Sequence, residues 1–120
     1  MTDEEFMSLM DDLGEYLKAN KVFIQDPVRF AEVQRATEIA RQLFPETEIV
    51  IEDDPIQMGA LILSISDFDV AIRGETEINL FTEMISKANN VEIYQIGNER
   101  VHIAVVFSHV LTRLSQGNLQ

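Results

Sequence analysis

Hydrophobic spacing divides the chain into stretches of two different periods. Phe6, Leu9, Met10, Leu13 and Leu17 recur every three or four residues, which marks one face of a helix. Thr2-Asp3-Glu4-Glu5 stands before them as a capping box, with acids suited to the positive end of the helix dipole. A second helix is predicted to begin at Asp26-Pro27, an N-cap followed by a proline at the first helical position. It should stop at Phe44, because Pro45 disfavours helical geometry in the residue before it. Val33, Ala36, Ala40 and Leu43 form its inner stripe, while Glu32, Arg35, Glu38 and Arg41 alternate in sign on the outside. Residues 18–25 read as a connector anchored to the core by Val22-Phe23-Ile24. A third helical stretch, 75–88, carries Ile78, Phe81, Ile85 and Ala88 in phase and ends at Asn89-Asn90.

The remaining apolar positions alternate. Residues 47–53 place Ile49 and Ile51 on one face of a strand and Val50 on the other. Residues 60–72 (ALILSISDFDVAI) form the most apolar run, and its parity switches: Leu61, Leu63 and Ile65 are odd-numbered, Phe68, Val70 and Ile72 even-numbered. One reading is a reversal at Ser66-Asp67 that pairs Ile65 with Phe68, Leu63 with Val70 and Leu61 with Ile72. The alternative is a single bulged strand; the reversal is preferred for its register. Pairing across residues 54–58 would set Ile51 opposite Leu61 and Ile49 opposite Leu63. Residues 91–96 and 100–107 form a hairpin around Gly97-Asn98-Glu99, which puts Tyr94 opposite His102. Residues 108–114 read as a short helix and 115–120 as a frayed tail. The expected fold is a single α+β domain over residues 1–120 in the order α-α-β-β-β-α-β-β. Three helices pack on a mainly antiparallel five-stranded sheet, as a two-layer sandwich. Its second face would carry Val50, Ile62, Tyr94, Ile96 and Val106, apolar enough to suggest a homodimer surface or a covering helix.

Composition changes this picture in one respect, the charge. Twenty-one acids against nine bases leave the 120 residues at −12. Scattered Lys and Arg argue against nucleic acid and anionic membrane as partners. No apolar run reaches the roughly 18 residues of a membrane helix, the acidic N-terminal stretch is unlike a signal peptide, and a cytoplasmic location follows. The absence of cysteine excludes disulfides and thiolate chemistry.

Candidate chemistry is sparse. Glu52-Asp53-Asp54 and Asp67/Asp69 are the densest carboxylates, but the expected registers put them at opposite ends of a strand, too far apart for one hard cation. Asp67-Phe68-Asp69 is a bare D-x-D with no glycine-rich phosphate loop beside it, and Gly59, Gly74 and Gly97 are isolated. His102 and His109 are the two histidines, on opposite faces of an extended strand. No metal, no cofactor and no catalytic set is implied, which points away from an enzyme. The reading that follows is a non-enzymatic protein-interaction module, of the inhibitor, immunity-type or adaptor kind and of bacterial or phage origin. It would offer Glu46, Glu48, Glu52, Asp53, Asp54, Asp67 and Asp69 to a partner with a basic surface. Two alternatives stand beside it: a small-ligand module or small enzyme built on Tyr94, Arg100 and His102, and a homodimer whose role is assembly.

Overall fold

The computed structural model describes residues 2–54, 59–69, 74–95 and 100–113. They form α1 (Asp3–Ala19), β1 (Val22–Ile24), α2 (Pro27–Leu43), β2 (Glu48–Asp53), β3 (Leu61–Asp69), α3 (Glu75–Ser86), β4 (Asn90–Gln95), β5 (Arg100–Phe107) and β6 (Leu111–Arg113). Among the described residues the fold is α+β with three helices and antiparallel strands, and these strands do not form the expected single five-stranded sheet. The strands divide into a four-stranded sheet, β2-β3-β5-β4, and a separate pair, β1-β6.

The helix starts follow from local chemistry. The Thr2 hydroxyl accepts from the Glu5 amide at 3.1 Å, and the Glu5 carboxylate accepts from the Thr2 amide at 3.0 Å. That return bond from the Thr2 backbone holds the Glu5 carboxyl below its usual range. At α2, Asp26 caps the amides of Val28 and Arg29, each at 3.1 Å, ahead of Pro27.

The parity switch in 60–72 resolves as a bulge and not as a reversal. β3 runs unbroken through Ser66-Asp67, and its register on β5 slips between Ile65 and Phe68. Leu61, Leu63 and Ile65 pair with Phe107, Val105 and Ile103; after the slip, Phe68 stands opposite Val101. One extra residue in β3 therefore returns an even-numbered position to the odd-numbered series, at the cost of a local kink. A type I turn would have tolerated Ser66-Asp67, so local chemistry did not exclude a reversal; the continued pairing of Phe68 with Val101 and Asp69 with Arg100 on β5 does. Residues 70–73 of the expected third strand lie outside the described residues.

The β2–β3 register also differs from expectation. Ile51 pairs with Leu63 and Ile49 with Ile65, two residues further along than the sequence suggests. A two-residue slide preserves every face, so periodicity alone could not detect it. The β4–β5 hairpin has the expected register, with Tyr94 opposite His102 and Ile93 opposite Ile103; its loop, 96–99, lies outside the described residues.

Residues 108–113 are not helical. The chain bends through His109, at a left-handed φ of 61°, and continues as β6. Val110 and Leu111 are buried, and both donate their amides to the Gly59 carbonyl, at 2.8 and 2.9 Å. β6 pairs with β1, so the Val22-Phe23-Ile24 anchor is itself a strand. Short apolar runs do not declare their period, and here the available strand partner decided.

The inner faces of β2, β3 and β5 meet Val33, Ala36, Ile39, Ala40 and Leu43 of α2, Met84 of α3 and Leu13 and Leu17 of α1 in one apolar cluster. Thr37 is buried within it and donates its hydroxyl back to the Val33 carbonyl at 2.8 Å, so that hydroxyl is not stranded.

Arg29 ties the elements together at one end. Its Nε donates to the Ser108 carbonyl at 3.2 Å, Nη1 donates to Glu32 at 2.8 Å and also to the Lys87 carbonyl, and Nη2 donates to Asn89. The guanidinium carbon lies 5.3 Å from the Phe107 ring centroid, and the side chain is only 16% exposed. A planar fork can join α2, the C-terminal end of α3 and the end of β5 in one stroke.

Two measurements test this account. Arg29→Lys should cost about 1–3 kcal/mol in chemical denaturation, because an ammonium cannot hold that fork or stack on the ring. Gly59 has φ +89°, and a Cβ there would sit 2.5 Å from the Leu111 carbonyl oxygen. Gly59→Ala should therefore lose about 2–4 kcal/mol. Gly14→Ala, inside α1 with nothing within 4 Å of the new carbon, should instead gain about 0.5–1 kcal/mol. Equal effects at the two glycines would refute the assigned close approach.

Candidate functional site

A groove of ≈ 490 Å³ lies between α1 and the edge strand β2. Leu9, Asp12, Leu13 and Tyr16 line it from the helix, and residues 50–53 line it from the strand. Positions 9, 12, 13 and 16 stand at i, i+3, i+4 and i+7, one helix face. On β2, alternation supplies Val50 and Glu52 from one face of the sheet and Ile51 and Asp53 from the other. The lining is thus apolar at Leu9, Leu13, Val50 and Ile51. Its charged members, Asp12, Glu52 and Asp53, all carry the same sign.

α1 is fastened at two points. The Tyr16 hydroxyl donates to the Asp53 carboxylate at 3.3 Å. Near the start of α1, the Arg41 guanidinium bridges to Asp3 at 2.6 Å and lies 4.8 Å from the Phe6 ring centroid. Buried Leu13 and Leu17 hold the helix between these ties. The walls are set by packing and not by a flexible loop, as a recognition surface requires.

The sequence-derived acidic residues divide in two. Glu52, Asp53 and Asp54 cluster at the groove end of β2, where the Asp54 amide donates to the Ala60 carbonyl at 3.1 Å. Glu46 and Glu48 are exposed at the opposite end of β2, and Glu48 pairs in register with Ser66. Asp67 and Asp69 follow Ser66 along β3 at that same far end, with Asp69 opposite Arg100. The separation expected between Glu52-Asp53-Asp54 and Asp67/Asp69 is what the registers give, and it sets Glu46 and Glu48 with the second group. Among the described residues, no group of three or more His, Asp or Glu side chains is placed to hold a metal ion.

Tyr94, Arg100 and His102 share the outer sheet face. His102 Nδ1 lies 3.2 Å from the Ser66 hydroxyl, and the Tyr94 ring is 6.0 Å from the His102 ring at a 53° tilt. An activated serine needs a base oriented by a third group and donors aimed at an oxyanion. Here the neighbour on the far side of His102 is an aromatic ring, so the trio reads as a cross-strand polar cluster. Tyr94 donates its hydroxyl to Glu92 on the same strand, and that bond holds the phenol above its ordinary value. On the same face Val106 is buried, Val50 and Ile62 are half-buried, and Ile96 lies outside the described residues.

Leu9, Asp12, Leu13 and Tyr16 were not singled out from the sequence as site residues. The signal was present: an acid at position 12 interrupts an otherwise apolar helical face. Only the neighbouring β2 edge gives it meaning.

The chain matches no protein-family model, no curated protein and no solved structure. Its function is therefore argued from its own geometry. Among the described residues, no helix is long and apolar enough to cross a membrane.

The Tyr94–Glu92 contact has a direct test. In a Tyr16→Phe background, which leaves Tyr94 as the single tyrosine, ultraviolet titration should find the phenol above its usual range, and Glu92→Gln should bring it back down. The sign follows from charge: ionising Tyr94 loses a donated hydrogen bond and sets a phenolate beside a carboxylate. An unchanged midpoint in Glu92→Gln would remove the contact as the cause.

Proposed function

We propose that this protein is a two-layer α+β interaction module that docks a basic, amphipathic segment of a partner protein in the α1–β2 groove. The observation that carries the reading is the lining itself, apolar at Leu9, Leu13, Val50 and Ile51 and acidic at Asp12, Glu52 and Asp53. Apolar surface supplies affinity to a segment that can bury its own apolar side chains. Acids without a lining base select Lys and Arg over Asp and Glu, because a like charge at the rim costs what an opposite charge gains. The −12 net charge extends that preference to long range and speeds encounter with a basic partner.

The proposal separates groove recognition from bulk charge. Two synthetic helical peptides of equal positive charge serve as probes, one with leucine at helical spacing among the lysines and one with serine in its place. Fluorescence anisotropy should show binding of the leucine peptide that weakens as salt rises, and markedly weaker binding of the serine peptide. Asp12→Lys with Glu52→Lys should reduce affinity by about tenfold or more, against a smaller loss for Glu46→Lys with Glu48→Lys at the far end of β2. Equal losses from the two pairs, or equal binding of the two peptides, would reduce the effect to net charge and end the groove assignment.

A further inference from the structure

Among the described residues β4 is the other edge of the four-stranded sheet, and it carries no bulge, no proline and no lysine. Native edge strands are shortened, bulged, or guarded by lysine or proline. β4 spans Asn90–Gln95 without Pro, Lys or Arg, pairs with β5 in unbroken register, and has Glu92 as its one charged residue. It also exposes large apolar groups: Ile93 is 60% and Tyr94 50% accessible. In a chain that carries −12, this charge-poor, apolar strand edge stands apart.

The strand is complementary to itself. In an antiparallel pair of identical strands about a two-fold axis, residues opposite one another must lie on the same face, so the two residue numbers must share parity. Centring the axis on Glu92 sets two carboxylates against each other. Centring it on Tyr94 sets exposed Ile93 against Gln95. Centring it on Ile93 sets Ile93 against Ile93 of the partner subunit and Glu92 against the partner's Tyr94. That last register buries the most exposed apolar group of the strand on its own copy. It also keeps the glutamates apart and offers each one a phenol donor, the same bond that Tyr94 makes to Glu92 within one strand.

We infer that β4 is a self-docking edge, where a second copy of this chain adds antiparallel, centred on Ile93, to make one continuous eight-stranded sheet. The contact lies on the edge opposite β2, so it leaves the α1–β2 groove open and does not depend on the function proposed for that groove. It also moves the homodimer expected from the sequence off the sheet face and onto the sheet edge. Because each copy carries the same large negative charge, salt should strengthen this association, the reverse of its effect on a basic partner.

Sedimentation of the full chain across a range of concentrations reads the oligomeric state. The expected result is a reversible dimer that tightens as salt rises and is lost in Ile93→Lys. Val28→Lys, an equally exposed change on α2 (Val28 is 74% accessible), should leave it intact. Since the chain contains no cysteine, a single introduced thiol reports the register even if Ile93→Lys folds poorly. Mild oxidation of Ile93→Cys should give a disulfide-linked dimer, because opposed antiparallel positions bring Cα atoms within bridging range. Asn90→Cys, away from the axis, should give little. Four outcomes would each overturn the inference: a monomer at every concentration, a dimer that survives Ile93→Lys, a dimer that dissolves as salt rises, or equal cross-linking at positions 90 and 93. A foreign strand captured by a chain that stays monomeric alone would likewise assign the edge to another occupant.

Discussion

One guanidinium holds the layers of this protein in place. Arg29 stands near the start of α2 and reaches the carbonyl of Lys87 that caps α3, the side chain of Asn89 and the carbonyl that follows β5. Those groups lie where three elements end or begin, and helix-terminal carbonyls in particular lack intrahelical partners. Asn89 completes the arrangement by accepting the Ser108 amide at 2.8 Å. Hydrophobic burial brings α2 and α3 to the sheet but is non-directional. The angular fork of Arg29, stacked on Phe107, fixes how far along the sheet they sit. The placement of α2 then sets that of α1 through Arg41, Asp3 and Phe6, and so the width of the groove.

How much of this could be read from the sequence depends on whether a feature is local. The helix starts at Thr2 and Asp26 were legible because a cap is a contact between residues two or three apart. The faces of Ile49, Ile51, Leu61 and Leu63 were legible because alternation is local too. The register between their strands was not, since a slide of two residues leaves every face unchanged. Residues 60–72 signalled their irregularity through parity, yet bulge and reversal both satisfy that signal, and the β5 partner of β3 chose between them. Residues 108–113 failed as a helix because β1, about ninety positions earlier, offered a strand partner that no local pattern announces.

The site followed the same rule. Clustered carboxylates at 52–54 were visible as composition, and the registers separate them from Asp67 and Asp69 as expected, and from Glu46 and Glu48 as well, which the sequence had grouped with them. The apolar half of the groove was invisible, because Leu9 and Leu13 read as core positions and in part are core. The groove arises from juxtaposition: a half-buried helix face meets the end of an edge strand, and each brings acids the other lacks. An acidic chain of this kind can serve more than one contact if its charge is unevenly placed. β2 and α1 hold the dense negative field, and β4 holds almost none.

The β1–β6 pair has a consequence for how the chain is made. Val22 is joined to Arg113, so the strand that follows α1 finds its partner only after nearly every other described element has been synthesised. The entropy of closing so long a loop grows only slowly with its length, but closure must wait until both ends exist. During synthesis, β1 would remain without its strand partner while the four-stranded sheet assembles from segments closer together. Gly59, whose carbonyl receives the two amides leading into β6, would then act as the latch. The last strand docks on an already folded sheet and, in the same motion, seats the first.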